Sequence, residues 1–414
     1  MTIGSSRGAP VIIVGAGLSG LACAITLNNA QVPFLLLDRS EKVGGRVQTD
    51  QIGGYRLDRG FQVLLTAYRE AQNFLDFEEL DLQACYPGSK VWYRGHFHQV
   101  SDPFRHPWAG VKSLATPIGS LGDKLRVGLL RMGFLSAKTM PDHVSTIEAL
   151  RKWGFGPSMI DRFWVPFMRG VFLENELSTS VRKFEETFRF FSKGDTVLPR
   201  KGIGEIPAQL ASRLPSTSMI LGTDISHAQA NKVQAVTGEV WEGTAVVLAT
   251  EREQAVKLLG GHPDKAEWNA VDCLYFSLPR TFLPCANPIL YLDGSGEGPV
   301  NNLTFISNIS DCAPDGQALV SMSVIGRKDQ SIGKITEDAR SQVRKWFGES
   351  VKHWNFLHAY RIPYAVPSCP SPLKPEPLVT GVYRCGDYIG LPSIDAAMRS
   401  GRETAESIIK AHFS

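Results

Sequence analysis

The stretch VIIVGAGLSGLACAITL, residues 11–27, decides the fold. Residues 11–14 form the short apolar run of a buried parallel strand, and residues 18–29 are rich in Leu and Ala, as a helix packed on a sheet is. Between them stand Gly15, Gly17 and Gly20 in a GxGxxG spacing. The first glycine permits a tight turn, the second lets the backbone approach a pyrophosphate, and the third lets helix and strand pack closely. The start of the helix then offers N–H groups and partial positive charge to phosphates. Residues 33–38, PFLLLD, add a second buried strand that ends on Asp38, where a carboxylate can accept hydrogen bonds from a ribose diol. Strand, glycine turn, helix, strand and terminal acid make a βαβ unit for a dinucleotide. A nicotinamide and a flavin nucleotide both suit it, and a bare structural turn is the alternative.

The remaining composition narrows the function classes. The chain has 414 residues, 43% hydrophobic and 21% charged, enough for two to three globular domains. A net charge of +3 with no long basic block argues against a nucleic-acid partner. Seven scattered cysteines, with no CxxC and no zinc-type spacing, read as reduced thiols in an intracellular protein. The opening MTIGSSRGAP has no apolar core, so no signal peptide is expected, and no run suits a membrane helix. The expected location is cytoplasmic or peripheral to a membrane. His96 and His98 sit two apart in GHFHQV but lack a third ligand, so no metal site is expected and a polar strand face is the reading.

Further along, KGIGEIPAQLASRL (201–214) reads as a glycine turn into a helix, and KVQAVTGEVWEGTAVVLAT (232–250) as a hairpin leading to a buried strand. Near the C-terminus a strand and a Gly-Asp turn precede a final helix from about Ser393. Residues 85–199 and 262–370 are richer in aromatics and prolines. Two interleaved domains are therefore expected. A nucleotide-binding domain would take residues 1–84, 200–261 and 371–414, and a substrate domain 85–199 and 262–370.

The choice of nucleotide turns on EKVGGRVQT (41–49), where two glycines precede Arg46, whose fork suits phosphate oxygens. GxGxxG, an acid ending the second strand, and then this GGR block resemble the flavin-containing amine oxidase superfamily, which includes carotenoid and phytoene desaturases and binds FAD. The resemblance continues at YRLDRGFQ (55–62), VVLAT (246–250) and YRCGDYIGLPSIDAAMRSG (383–401), in the family's order. It implies an α/β fold: a Rossmann-type FAD-binding domain of the amine oxidase/desaturase kind with an interleaved α+β substrate domain. By the same resemblance Gly15, Gly17, Ser19 and Gly20 line the pyrophosphate, Asp38 meets the adenosine ribose, and Gly45 and Arg46 take the phosphate side of the flavin. Gly60 and Phe61 approach the isoalloxazine, Ile225 the adenine, and Gly386 and Asp387 the ribityl and pyrophosphate. Ile394 offers its backbone N–H to the pyrimidine edge, and a helix starting there aims its positive end where reduced flavin gathers negative charge. The pattern departs from the family at Ser40 and Lys42, both toward the adenosine side.

FAD is expected to be non-covalent: Cys385 adjoins Gly386, but nothing in the sequence activates it. The implied function is an FAD-dependent oxidoreductase of dehydrogenase or desaturase type, taking hydride from a hydrophobic, isoprenoid- or carotenoid-like substrate, with a quinone or O2 as electron acceptor. An amine oxidase using O2 and a non-catalytic flavoprotein binder are the alternatives. Amine oxidases often carry a lysine after the VVLAT strand; by the resemblance that place falls at Asp272, read either as an altered site or as a salt-bridged carboxylate. No catalytic residue is assigned. Residues 120–138 can form a helix with Leu121, Leu125, Leu129 and Phe134 on or near one face and Lys124, Arg126, Arg131 and Lys138 as cations. That segment reads as a cover for the substrate cavity or as a peripheral membrane contact.

Overall fold

A computed structural model describes residues 8–413 except 107, 109, 111, 112, 114, 263–267, 327–328 and 370–380. At its centre is a parallel five-stranded sheet assembled from three separated parts of the chain. Its order is Met219–Ile220, Phe34–Leu37, Val11–Val14, Ala245–Leu248 and Val382–Arg384. In-register pairing sets Val11 beside Phe34 on one side and beside Ala245 on the other. The central strands Val11–Val14 and Ala245–Leu248 are buried along their whole length, as expected where both faces of a parallel sheet are covered.

The helix Leu18–Asn29 is buried over most of its circumference, packed between the sheet and the final helix Ile394–His412. Its apolar residues therefore run nearly all round instead of forming one stripe. The final helix starts at the expected place because Ser393 caps it, accepting from the Ala396 N–H at 3.0 Å. The segment after residue 200 forms the helix Glu205–Ser212, and residues 232–242 form the expected hairpin ahead of the strand Ala245–Leu248.

A second sheet has seven strands. Its order is Asn355–Pro367, Trp268–Pro279, Gln317–Ile325, Val300–Phe305, Leu290–Asp293, Gly88–Tyr93 and His96–Ser101. All neighbours pair antiparallel except Leu290–Asp293 with Gly88–Tyr93, which run parallel and join chain segments about 200 residues apart. The helix Ile332–Phe347 packs Val343 and Trp346 into an aromatic core with Phe305 and Trp354. Helices Leu121–Arg131, Thr146–Lys152, Val165–Phe172 and Val181–Lys193 form a separate cluster around the fully buried Trp164. Among the described residues no helix is long and apolar enough to cross a membrane, and all seven cysteines are free.

Candidate FAD site and substrate cavity

The glycines after the first strand divide into two kinds. A Cβ on Gly20 would lie 1.9 Å from the Gly15 carbonyl oxygen, so this position serves the close packing of helix on turn. A Cβ on Gly17 would meet nothing within 4 Å, because Gly17 faces open cavity. The loop carrying the second glycine pair is drawn against it: the Gly44 N–H donates to the Ala16 carbonyl at 2.8 Å, and a Cβ on Gly45 would stand 3.4 Å from the Gly17 Cα. Two glycine loops thus form one cradle with bare backbone toward the cavity. That is the surface a pyrophosphate requires.

Asp38 fastens the turn. Its carboxylate accepts from the Ala16 N–H at 2.6 Å and the Ser40 N–H at 2.7 Å. An ionised carboxylate has acceptor capacity beyond these two bonds, which leaves room for a ribose hydroxyl. Ile225 lines the same end of the cavity, beside Thr223, Asp224 and Ser40. At the other end of the cradle the Arg46 guanidinium donates to Asp387 at 2.5 Å and to the Ala365 carbonyl at 2.9 Å, and lies 5.3 Å from the Trp268 ring centre. Burial works against its charge, but Asp387 beside it leaves the pKa raised. Gly60 and Phe61, Gly386, and Ile394 at the start of the final helix complete this wall.

One cavity of about 1190 Å³ joins these positions. It is lined by every residue that the sequence assigned to the cofactor except Gly20. Its size exceeds the roughly 300–1,000 Å³ of ordinary ligand pockets, as a space shared by a dinucleotide and a second ligand would. The bare cradle, the bound-turn carboxylate and the helix start fit FAD. Tyr360 and Tyr364 of the edge strand Asn355–Pro367 line it nearer Arg46. The cavity is also lined by a group of aromatics from the helical cluster, Phe163, Trp164, Phe167, Phe188 and Phe191, and this is its aromatic half.

The sequence pattern missed two polar residues in that half. Lys183 and Thr187 lie one turn apart on the helix Val181–Lys193, both line the cavity, and they are only 7% and 5% exposed. Burial lowers the Lys183 pKa, opposed by Glu186, whose carboxylate is 3.7 Å away. The Thr187 hydroxyl finds no hydrogen-bond partner among the described residues. Their spacing of four was the available signal, but it lies within a strongly amphipathic helix where such polar positions are ordinary.

Asp272 is the salt-bridged alternative. It is buried beneath the edge strand and accepts from Arg361 at 2.9 and 3.1 Å. Cys385 is also buried, and burial pushes its thiol up to about 12, so the reactive thiolate is suppressed. His96 and His98 each bond a nearby backbone carbonyl, those of Arg94 and Tyr93.

Residues 18–409 match the family model for flavin containing amine oxidoreductases. The chain belongs to that family. This flavin-containing amine oxidoreductase is an FAD-dependent oxidoreductase, and its mixed α/β fold is that of the family. Among curated relatives, a phytoene desaturase of Neurospora crassa is 31% identical over 96 residues, 22% of this chain and 16% of that protein. Polyamine oxidase 5 of Oryza sativa subsp. japonica is 44% identical over 50 residues, 12% of this chain and 10% of that protein. Each match therefore spans less than a fifth of the relative's length. The fold as a whole is shared with the crystal structure of an oxidoreductase from Methanosarcina mazei, at a TM-score of 0.77 and 16% identity over 96% of this chain and 100% of that one.

Proposed function

We propose that this family member is a dehydrogenase or desaturase that takes hydride from a hydrophobic, isoprenoid- or carotenoid-like substrate. The observation that carries the reading is the aromatic half of the cavity, continuous with the cradle and floored by phenylalanines and a tryptophan. FAD, when bound, supplies a two-electron acceptor. Gly15, Gly17, Ser19 and Gly45 would hold its pyrophosphate, Asp38 and Ile225 its adenosine, and Arg46 with Asp387 the link toward the flavin. Gly20 supports this set by letting the helix close on the turn. Gly60, Phe61, Gly386 and Ile394 would border the ring, with the helix dipole stabilising charge at its pyrimidine edge. Beyond that border the aromatic wall excludes water and orients an apolar chain. The proposed domain division is 1–84, 200–261 and 371–414 for the cofactor and 85–199 and 262–370 for the substrate; its boundary at 370/371 lies outside the described residues.

The electron acceptor is proposed to be quinone-like in preference to O2. A cytoplasmic or peripherally membrane-associated location, with contact through residues 120–138, suits an apolar substrate. The amine-oxidase alternative is disfavoured because the buried Lys183 would meet a cationic substrate in the lining, where Arg105 and Arg131 are already paired with acids. In the same region Asp102 is engaged by both arginines. Turnover with any acceptor excludes the non-catalytic binder. Anaerobic mixing with primary amines and polyamines should leave the flavin absorbance unbleached, and photoreduced enzyme should reoxidise faster with a soluble quinone than with O2. Rapid bleaching by an amine, followed by hydrogen peroxide in air, would overturn this reading and promote the amine oxidase.

A further inference from the structure

One end of the cavity is lined by the exposed Phe104, and the surface there is both apolar and cationic. Phe104, Lys124, Val127, Gly128 and Arg131 line that end. The helix Leu121–Arg131 turns Val127 and Gly128 toward the cavity and leaves Leu121 and Leu125 in solvent. Met132 and Phe134 follow immediately, and Trp108 stands out from the neighbouring segment. Trp108 is 86% exposed, Phe134 74% and Leu125 65%. Single exposed apolar side chains are ordinary on any surface; a group of them at one end of a cavity marks a surface that is normally covered.

Charge chooses the cover. The described residues between 102 and 142 carry five cations, Arg105, Lys124, Arg126, Arg131 and Lys138, against three acids, Asp102, Asp123 and Asp142, and Asp102 pairs with Arg105 and Arg131. Asp123 is buried and used up in capping the helix, accepting from the Ser120 N–H at 2.8 Å and from the Gly156 N–H at 2.7 Å. A second copy of this chain would bring the same cations face to face. An anionic lipid surface complements them, and the apolar side chains reach past the headgroups into the acyl boundary.

We infer that Phe104, Trp108 and residues 115–138 dock this protein on an anionic bilayer, with the Phe104 end of the cavity at the level of the lipid. The docking stands on exposure and charge alone. Its consequence, that substrate passes from bilayer to cavity without crossing water, rests on the apolar-substrate reading above.

Flotation of the FAD-loaded protein with vesicles tests it. The protein should float with phosphatidylglycerol/phosphatidylcholine vesicles at low salt and much less with pure phosphatidylcholine. Leu125→Asp with Phe134→Asp, both outside the cavity lining, should lower the bound fraction by about tenfold or more. FAD content and the melting temperature of this variant should match the wild type. Wild-type protein that stays at the bottom of the gradient with phosphatidylglycerol vesicles would overturn the inference, as would a variant that floats like the wild type. A wild-type dimer in the absence of lipid that the variant converts to monomer would also overturn it, assigning the face to a second copy. Flavin bleaching by amines would refute the substrate reading while leaving vesicle binding intact, so the two failures are distinguishable.

Discussion

Replacing Arg46 by alanine should damage cofactor affinity and fold stability by separable amounts. The guanidinium joins three distant segments, donating to Asp387 and to the Ala365 carbonyl while lying beside Trp268. The Arg46 side chain is 33% exposed and that of Asp387 12%. Removing one partner of a fully buried pair costs roughly 3–5 kcal/mol, whereas a fully exposed pair contributes about 0–1. A pair between these limits should cost about 2 kcal/mol in the apoprotein, read as a lowered urea midpoint. Loss of a charge-assisted bond to a phosphate is a further roughly 1.5–3 kcal/mol, which appears only in binding. The FAD dissociation constant, from quenching of flavin fluorescence, should therefore rise about 10- to 150-fold. Asp387→Asn in the Arg46→Ala background removes the stranded carboxylate, so the two stability costs should sum to more than the double variant loses, by about 1 kcal/mol or more. An unchanged FAD dissociation constant in Arg46→Ala would refute the phosphate role, and costs that add within about 0.5 kcal/mol would refute the pairing.

The two glycines of the first turn should fail differently. Gly17→Val should abolish FAD binding with the apoprotein still folded, while Gly20→Ala should lower the yield of folded protein because its Cβ would strike the Gly15 carbonyl; circular dichroism and FAD content together read both. Burial raises the Asp58 carboxyl to about 6, opposed by donors from Thr49 and the Ile203 N–H. The folded state then holds this proton more tightly than the unfolded chain, so the contribution is complete below about pH 4 and is lost as pH rises through about 6, a change of roughly 2–3 kcal/mol. Urea titrations from pH 4 to 7 should show that slope, and Asp58→Asn should flatten it. Acid or heat should release FAD into the supernatant; flavin retained in the protein pellet would contradict non-covalent binding.

What the sequence disclosed was local. Val11–Val14, the glycine turn, Leu18–Asn29 and Asp38 lie within one βαβ unit, where spacing alone specifies neighbours. The cap at Ser393 was legible for the same reason, since a capping residue and its helix adjoin in the chain. The Arg46–Asp387 bond was not, because 341 positions separate its ends and either side chain suits a phosphate site alone. Lys183 stayed hidden for a different reason. Nothing in the helical pattern of residues 181–193 distinguishes a lysine facing a cavity inside the protein from one on the outer surface; burial by distant segments makes the difference. Nor could spacing join Leu290–Asp293 to Gly88–Tyr93, since parallel neighbours need no short connection.

The central parallel sheet also has a kinetic meaning. Val11–Val14 is made more than two hundred residues before the strand that covers its second side, which begins at Ala245, and the sheet's far edge is Val382–Arg384. Between those events more than two hundred residues leave the ribosome, at roughly 5–20 residues per second. For tens of seconds the nascent chain carries an apolar strand with an unpaired edge, and closing so long a loop is slow even after release. The cofactor site, which also draws on Asp387 and the final helix, is completed only after residues 387–412 have been made. The full set of cofactor contacts therefore forms late, and until Ala245–Leu248 is made the strand edge is one that other chains can pair with.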